Sequence, residues 1–163
     1  MPRRIDPSDF GYAGPSALRA LESSAMASLI RLVGYWTSED FQGGLAERAG
    51  VNVESRDVPG LFLLGQRGPT RPGDLARNLR VSAAAVSKLT DRLVGRGYAL
   101  RRPDPDDARA SLITLTEAGT DAAQALYDEG ERLFASLLTE WPADEATKFA
   151  ALLIRFTEQF ELD

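Results

Sequence analysis

The sequence contains no cysteine and no histidine. Without cysteine, disulfides, thiolate metal sites, cysteine nucleophiles and thiol redox sensors are all excluded. Without histidine, the commonest metal ligand and the commonest general base are missing, and a Ser-His-Asp triad cannot be built. A metal site would have to be made from carboxylates alone. Long apolar runs are missing too: no stretch approaches the roughly 18 residues of a membrane-spanning helix. The opening MPRRIDPSDFGYAGPS carries two arginines with no apolar segment behind them, unlike a secretory leader. The expectation is a soluble, cytoplasmic chain with no cofactor, no metal and no membrane partner.

What is present is ordinary in bulk. The 163 residues are 44% hydrophobic and 26% charged, enough to form a core without staples, in one domain or a small domain with extra helices. The distribution of charge is not ordinary. The chain carries −5 overall, yet Gln66 to Ala110 holds ten basic and five acidic residues, leaving nine basic and nineteen acidic for the rest. A basic island in an acidic chain fits either a segment that meets a polyanion or a cluster on a solvated surface.

Apolar spacing predicts the elements. Residues 1–15 show no periodicity and read as a flexible arm. Leu18, Leu21, Ala25, Leu29, Leu32 and Trp36 recur at three- and four-residue steps and predict a helix over 16–37. A short helix over 39–49 ends at Gly50, and another over 55–66 tolerates Pro59 only in its first turn. Pro72 opens a helix to Leu79. Arg80-Val81-Ser82 turns the chain, and Ser82 caps a second helix that ends near Gly97. Tyr98 to Arg102 and Ser111 to Thr116 read as two strands around a charged loop. Thr116 caps a long helix, and Pro142 separates it from a last one carrying Phe149, Leu152, Leu153, Phe156 and Phe160 on one stripe. The fold class is mostly α with a small β-hairpin wing: a winged helix-turn-helix plus further helices. LAERAGV at Leu45 resembles LARNLRV at Leu75, but only the second leads into a capped helix with a basic face.

On the helix after Ser82, Val86, Leu89 and Leu93 share one side at about 100° per residue. Ala84, Lys88, Asp91 and Gly95 lie opposite, Ser87 and Arg92 flank that outer side, and Ala85 sits nearer the edge. Slim side chains at the helix start would let it enter a DNA major groove, about 12 Å wide. Ser82, Ser87 and Lys88 could then bond bases or phosphates, helped by the helix dipole. A plain surface helix using alanine for its propensity has the same pattern. The hairpin adds Arg101, Arg102 and, at its tip, Arg109, which could enter a narrow minor groove. Asp107 is expected to hold the Arg109 guanidinium in a bidentate pair.

The stretch LARNLRVSAAAVSKLTDRLVGRGYALRRPDPDDARASLITLTEAG resembles the MarR family of winged-helix regulators. Leu75-Ala76, Ser82, Val86-Ser87-Lys88, Leu93, Gly97, Asp107-x-Arg109 and Leu115-Thr116-x-x-Gly119 carry the resemblance. Ala108 and Lys88 stand where many relatives have arginine, and lysine lacks the bidentate fork. The resemblance implies a sequence-specific DNA-binding transcriptional repressor. It also implies a homodimer whose outer helices, 16–54 and 117–163, form the dimerisation region around a DNA-binding domain at 55–116. Two-fold symmetry would then set the two reading helices about 34–36 Å apart on a palindromic operator of double-stranded DNA. Many members release DNA when a small aromatic effector binds, and Trp36, Phe41 and Phe62 are the candidates to line such a pocket. The expected DNA contacts are Arg71, Ser82, Ala84, Ala85, Ser87, Lys88, Arg92, Arg101, Arg102 and Arg109, with Asp107 orienting the wing.

Two other function classes are compatible with a chain of this composition. A winged helix used only as a protein-interaction module would show no salt-dependent affinity for any duplex. An enzyme built on Asp104, Asp106 and Asp107 would place its acids on an exposed hairpin with no pocket, so the chain is read as not an enzyme.

Overall fold

The computed structural model describes residues 15–107 and 109–160. The arm expected over 1–15 lies outside them up to residue 14, and Pro15 already begins a helix. The order is α1 (Pro15–Trp36), α2 (Glu39–Arg48), a 3-10 turn (Ser55–Asp57), α3 (Val58–Arg67), α4 (Pro72–Leu79) and α5 (Ala83–Gly95). There follow β1 (Ala99–Pro103), β2 (Ser111–Leu115), α6 (Glu117–Leu137), α7 (Ala143–Thr157) and a 3-10 turn (Glu158–Phe160). Among the described residues no helix is long and apolar enough to cross a membrane.

Local chemistry explains most boundaries. Pro59 and Pro72 sit in the first turns of α3 and α4, where no intrahelical N–H is lost. Ser38, Ser82 and Thr116 cap α2, α5 and α6, each side chain accepting a first-turn N–H. Gly50, Gly68 and Gly97 take left-handed φ of 69°, 73° and 76° just past helix ends. α6 ends at Leu137, and Pro142 stands at the start of α7.

Two cores meet on α3. Leu61 packs with Phe41, Leu45, Val58, Ala122 and Leu126, joining α2, α3 and α6. Leu64, one turn along, packs with Leu75, Val86, Leu89, Leu93, Ala99 and Ile113, joining α3, the helix pair α4–α5 and the hairpin. A fully buried leucine contributes about 1.5–3 kcal/mol, so the helix pair and hairpin carry a substantial apolar anchor of their own. Arg48 reaches from α2 to the buried Glu129 of α6 at 2.9 Å and ties the first core together.

The hairpin is antiparallel, with Ala99 opposite Leu115 and Pro103 opposite Ser111. Thr70 adds a single bridge to Ile113, a third-strand stub that the sequence pattern did not suggest. The Leu115-Thr116-x-x-Gly119 motif has a packing cause. The Thr116 hydroxyl donates to the Gly97 carbonyl at 2.6 Å and accepts from Gly119 at 2.9 Å. The Thr116 N–H donates to the Tyr98 carbonyl at 3.0 Å. α6 thereby lies so close to the hairpin base that a Cβ at Gly119 would overlap the Tyr98 carbonyl oxygen. Only glycine fits.

Candidate nucleic-acid interface

α5 presents two faces that its sequence period dictates. Val86, Leu89, Thr90 and Leu93 are buried, whereas Ala83, Ala84, Ser87, Lys88 and Asp91 are exposed and Ala85 is half-buried. Ser82 lies at the helix start with its oxygen taking the Ala85 N–H at 3.2 Å. The exposed end is therefore slim, carries the positive pole of the helix, and has Lys88 one turn in.

The basic island divides evenly. Arg71, Arg77, Arg92, Arg96 and Arg101 are each within ion-pair distance of a carboxylate: Asp104, Asp74, Asp57, Glu54 and Asp91 in turn. Among the described residues Arg67, Arg80, Lys88, Arg102 and Arg109 have no acidic partner, and all five are exposed. Arg67 and Arg80 are the two with no counterpart among the expected contacts, and Arg80 is the more unusual. It closes α4 in a left-handed conformation, φ 55°, a place usually given to glycine or asparagine, so composition gave no signal for it.

Arg92 corrects the expectation most sharply. The helical period sets it beside the outer face, but its guanidinium turns inward to grip Asp57 at 2.7 and 2.5 Å. Asp57 is fully buried at the start of α3, and the Arg92 side chain is only 24% exposed. Glu54 stands 4.0 Å from Arg92 and 3.7 Å from Arg96. This cluster fastens α5 to the α3 junction and leaves Arg92 no reach outward.

The wing corrects a second expectation. Asp107 does not hold the Arg109 guanidinium. Its carboxylate accepts the Arg109 backbone N–H at 3.0 Å, and its carbonyl accepts the Ala110 N–H at 2.9 Å, which shapes the loop and leaves the arginine head free. The buried acid of the loop is Asp104. It accepts from Arg71 at 2.6 Å and from the Asp106 N–H at 2.9 Å. Arg101 on β1 lies 2.9 Å from Asp91 on the outer face of α5, so strand and helix border one surface.

The Arg71 guanidinium, with help from the Asp106 N–H, holds the Asp104 carboxyl below its ordinary range. A depressed folded value stabilises the protein fully above the unfolded carboxylate value, about 3.9, and the contribution is lost as pH falls through that value to the depressed one. The stability gap between the wild type and Asp104→Asn is therefore expected to be widest at neutral pH and to close below about pH 4. Urea denaturation across pH measures it. A gap that stays constant into acid would contradict the pairing.

Comparison with known proteins follows from this geometry. Residues 56–111 match the model of the MarR family. The uncharacterized HTH-type transcriptional regulator YxaD of Bacillus subtilis is 30% identical over 117 residues, covering 71% of this chain and 80% of that protein. The chain belongs to the MarR family. The multiple antibiotic resistance protein MarR of Escherichia coli is 32% identical over 83 residues, 50% of this chain and 58% of that protein. The crystal structure of apo wild-type MarR from E. coli superposes with a TM-score of 0.65 at 24% identity, covering 80% of this chain and 95% of that one. A MarR transcriptional regulator from Methanosarcina mazei gives 0.63 at 20% identity, covering 87% and 98%. At these identities the likeness establishes the MarR winged-helix fold.

The three aromatic residues expected around one MarR-type effector pocket are not brought together. Trp36 and Phe41 stack on each other at 4.7 Å, with Tyr35 at 5.0 Å from Phe41, and Phe41 is buried as core. Phe62 instead lines a separate hollow of about 300 Å³ between α3 and α6, with Gly65, Gln66, Thr120, Ala123, Gln124 and Tyr127. Aromatic identity alone could not tell a packed stack from a lined cavity.

Proposed function

We propose that this MarR-family protein is a sequence-specific DNA-binding transcriptional regulator, a homodimeric repressor released by a small aromatic effector. The observation that carries the reading is the shared border of α5 and β1. It sets Lys88 and the slim α5 start beside a wing whose Arg102 and Arg109 have no acidic partner. Ala84 and Ala85 permit close approach to the major groove, and Ser82, Ser87 and Lys88 bond bases or phosphates. Arg109 enters the minor groove. Arg80 and Arg102 take phosphates, and the half-exposed Arg71 and Arg101 contribute the donors their ion pairs leave over. Arg92 is no longer among the contacts.

Residues 55–116 form the DNA-binding domain, and 16–54 with 117–163 the dimerisation region. Dimerisation is supported by apolar side chains that one chain leaves uncovered. On α1, Ile30 and Tyr35 are 65% and 61% exposed, and on α7 Ile154 is 61% and Leu152 50% exposed. No residue of α7 is buried in a single chain. A second copy covering these helices would space two α5 helices for a palindrome. The uncharged hollow beside Phe62 suits a small aromatic effector, because it lies where α3 supports both cores.

Duplex affinity measured against salt tests the reading. Three to five cations per protomer, doubled in the dimer, predict a log–log slope between about −5 and −9. Sedimentation should give twice the chain mass. An affinity for duplex that is absent or indifferent to salt would instead favour a winged helix that binds protein.

A further inference from the structure

We infer that Asp104, clamped by Arg71, is the residue that aims the wing, setting where Arg109 sits relative to α5. The inference rests on the DNA-reading role proposed above but has a readout that does not need DNA.

Asp104 fastens the loop between β1 and β2 to the rest of the fold. Asp104 is the only buried acid of its three, its side chain 3% exposed. One of its oxygens takes the Asp106 N–H at 2.9 Å, and the other takes the Arg71 Nε–H at 2.6 Å. Its own N–H donates to the Ala110 carbonyl at 3.1 Å, so both arms of the loop are drawn to this residue. Arg71 is the residue just before α4. Its neighbour Thr70 exchanges two backbone hydrogen bonds with Ile113, at 3.0 and 2.9 Å. The wing is thus fastened to the leader of α4 twice. Thr70 holds it by backbone at Ile113, two residues from the Leu115 base, and Asp104 holds its outer end by charge.

The position of the second clamp matters through leverage. From Leu115 at the base to Arg109 is six residues, at most about 20 Å if fully extended. A swing of about 10° at the base would carry the tip some 3–4 Å, more than a hydrogen bond tolerates. The Thr70 bridge resists this poorly, because it lies near the pivot. Arg71–Asp104 lies close to the tip and resists it well. The pair is a charge-assisted bond to a buried acceptor, so a neutral amide of the same size would fill the space and lose most of the hold.

Two measurements test this with Asp104→Asn, a variant that keeps the volume. On DNA-free protein, amide hydrogen exchange at Asp106 and Ala110 should speed up about tenfold, while amides of α6 keep their wild-type rates. Uniform acceleration across the protein, or no change in the loop, would overturn the clamp. Next, affinity for a duplex recovered by selection from a random pool is measured in a double-mutant cycle with Arg109→Ala. Asp104→Asn should weaken binding about five- to tenfold in the wild type and less than twofold in the Arg109→Ala background, because a wing without its tip arginine has nothing to aim. Equal losses in both backgrounds, or no loss in either, would overturn the positioning role. If the wild type binds no duplex, the DNA-reading proposal fails separately, and the exchange result still decides the clamp.

Discussion

Arg92→Ala is expected to cost about 5 kcal/mol of folding stability, the upper end for breaking a buried ion pair. The reason is what it leaves behind. Asp57 is fully buried, and its two oxygens are both bonded to the Arg92 guanidinium. Asp57→Ala should cost less, about 3 kcal/mol. The stranded Arg92 is 24% exposed and has Glu54 within 4.0 Å to turn to. Replacing both should cost less than the sum, since neither charge is then left alone. Urea unfolding of the three variants measures this. Equal losses for the two single variants would show that the buried carboxylate is not the controlling cost. If Arg92 pointed to DNA instead, its removal would leave stability nearly unchanged and lower affinity.

The second large effect is on binding. Lys88→Ala and Arg109→Ala are each expected to weaken operator binding by about 1–3 kcal/mol, roughly ten- to a hundredfold, while leaving the unfolding midpoint in place. Both side chains are exposed and make no ion pair among the described residues, so the fold loses nothing with them. The two should differ in kind. Arg109 is proposed to enter the minor groove, where a narrow groove concentrates negative potential, so its loss should be felt most on A·T-rich flanks. Lys88 stands on the α5 face proposed to enter the major groove, so its loss should relax preference within each half-site. Gel-shift titration on matched duplexes separates them. Unchanged affinity in both variants would remove the helix and the wing from the interface.

The fold was legible because its elements announce themselves locally. Prolines at 59 and 72, capping hydroxyls at 82 and 116, and glycines at 50, 68 and 97 are short-range signals, and each boundary falls within a few residues of where they place it. The 3.6-residue period put Val86, Leu89 and Leu93 inside and Lys88 outside. What was not legible was the fate of individual charges. Arg92 stands at the flank of α5, and its long side chain can reach either way. Asp57, its partner, is 35 residues distant. Arg71 and Asp104 are separated by 33 residues. No periodicity within a helix encodes such pairs. The same limit explains Asp107: an acid two residues from an arginine suggests a side-chain pair, yet the loop uses that carboxylate on the backbone N–H. Half of the ten basic residues of the island are thus engaged by carboxylates of the same chain.

We propose that two copies of the α5 and wing surface, held at fixed spacing by α1, α6 and α7, read one duplex. Selection of bound duplexes from a random pool should then enrich a palindrome whose half-site centres lie about one helical turn apart, 10–10.5 base pairs. Recovery of duplexes with no enriched sequence, or with a single unrepeated site, would contradict it.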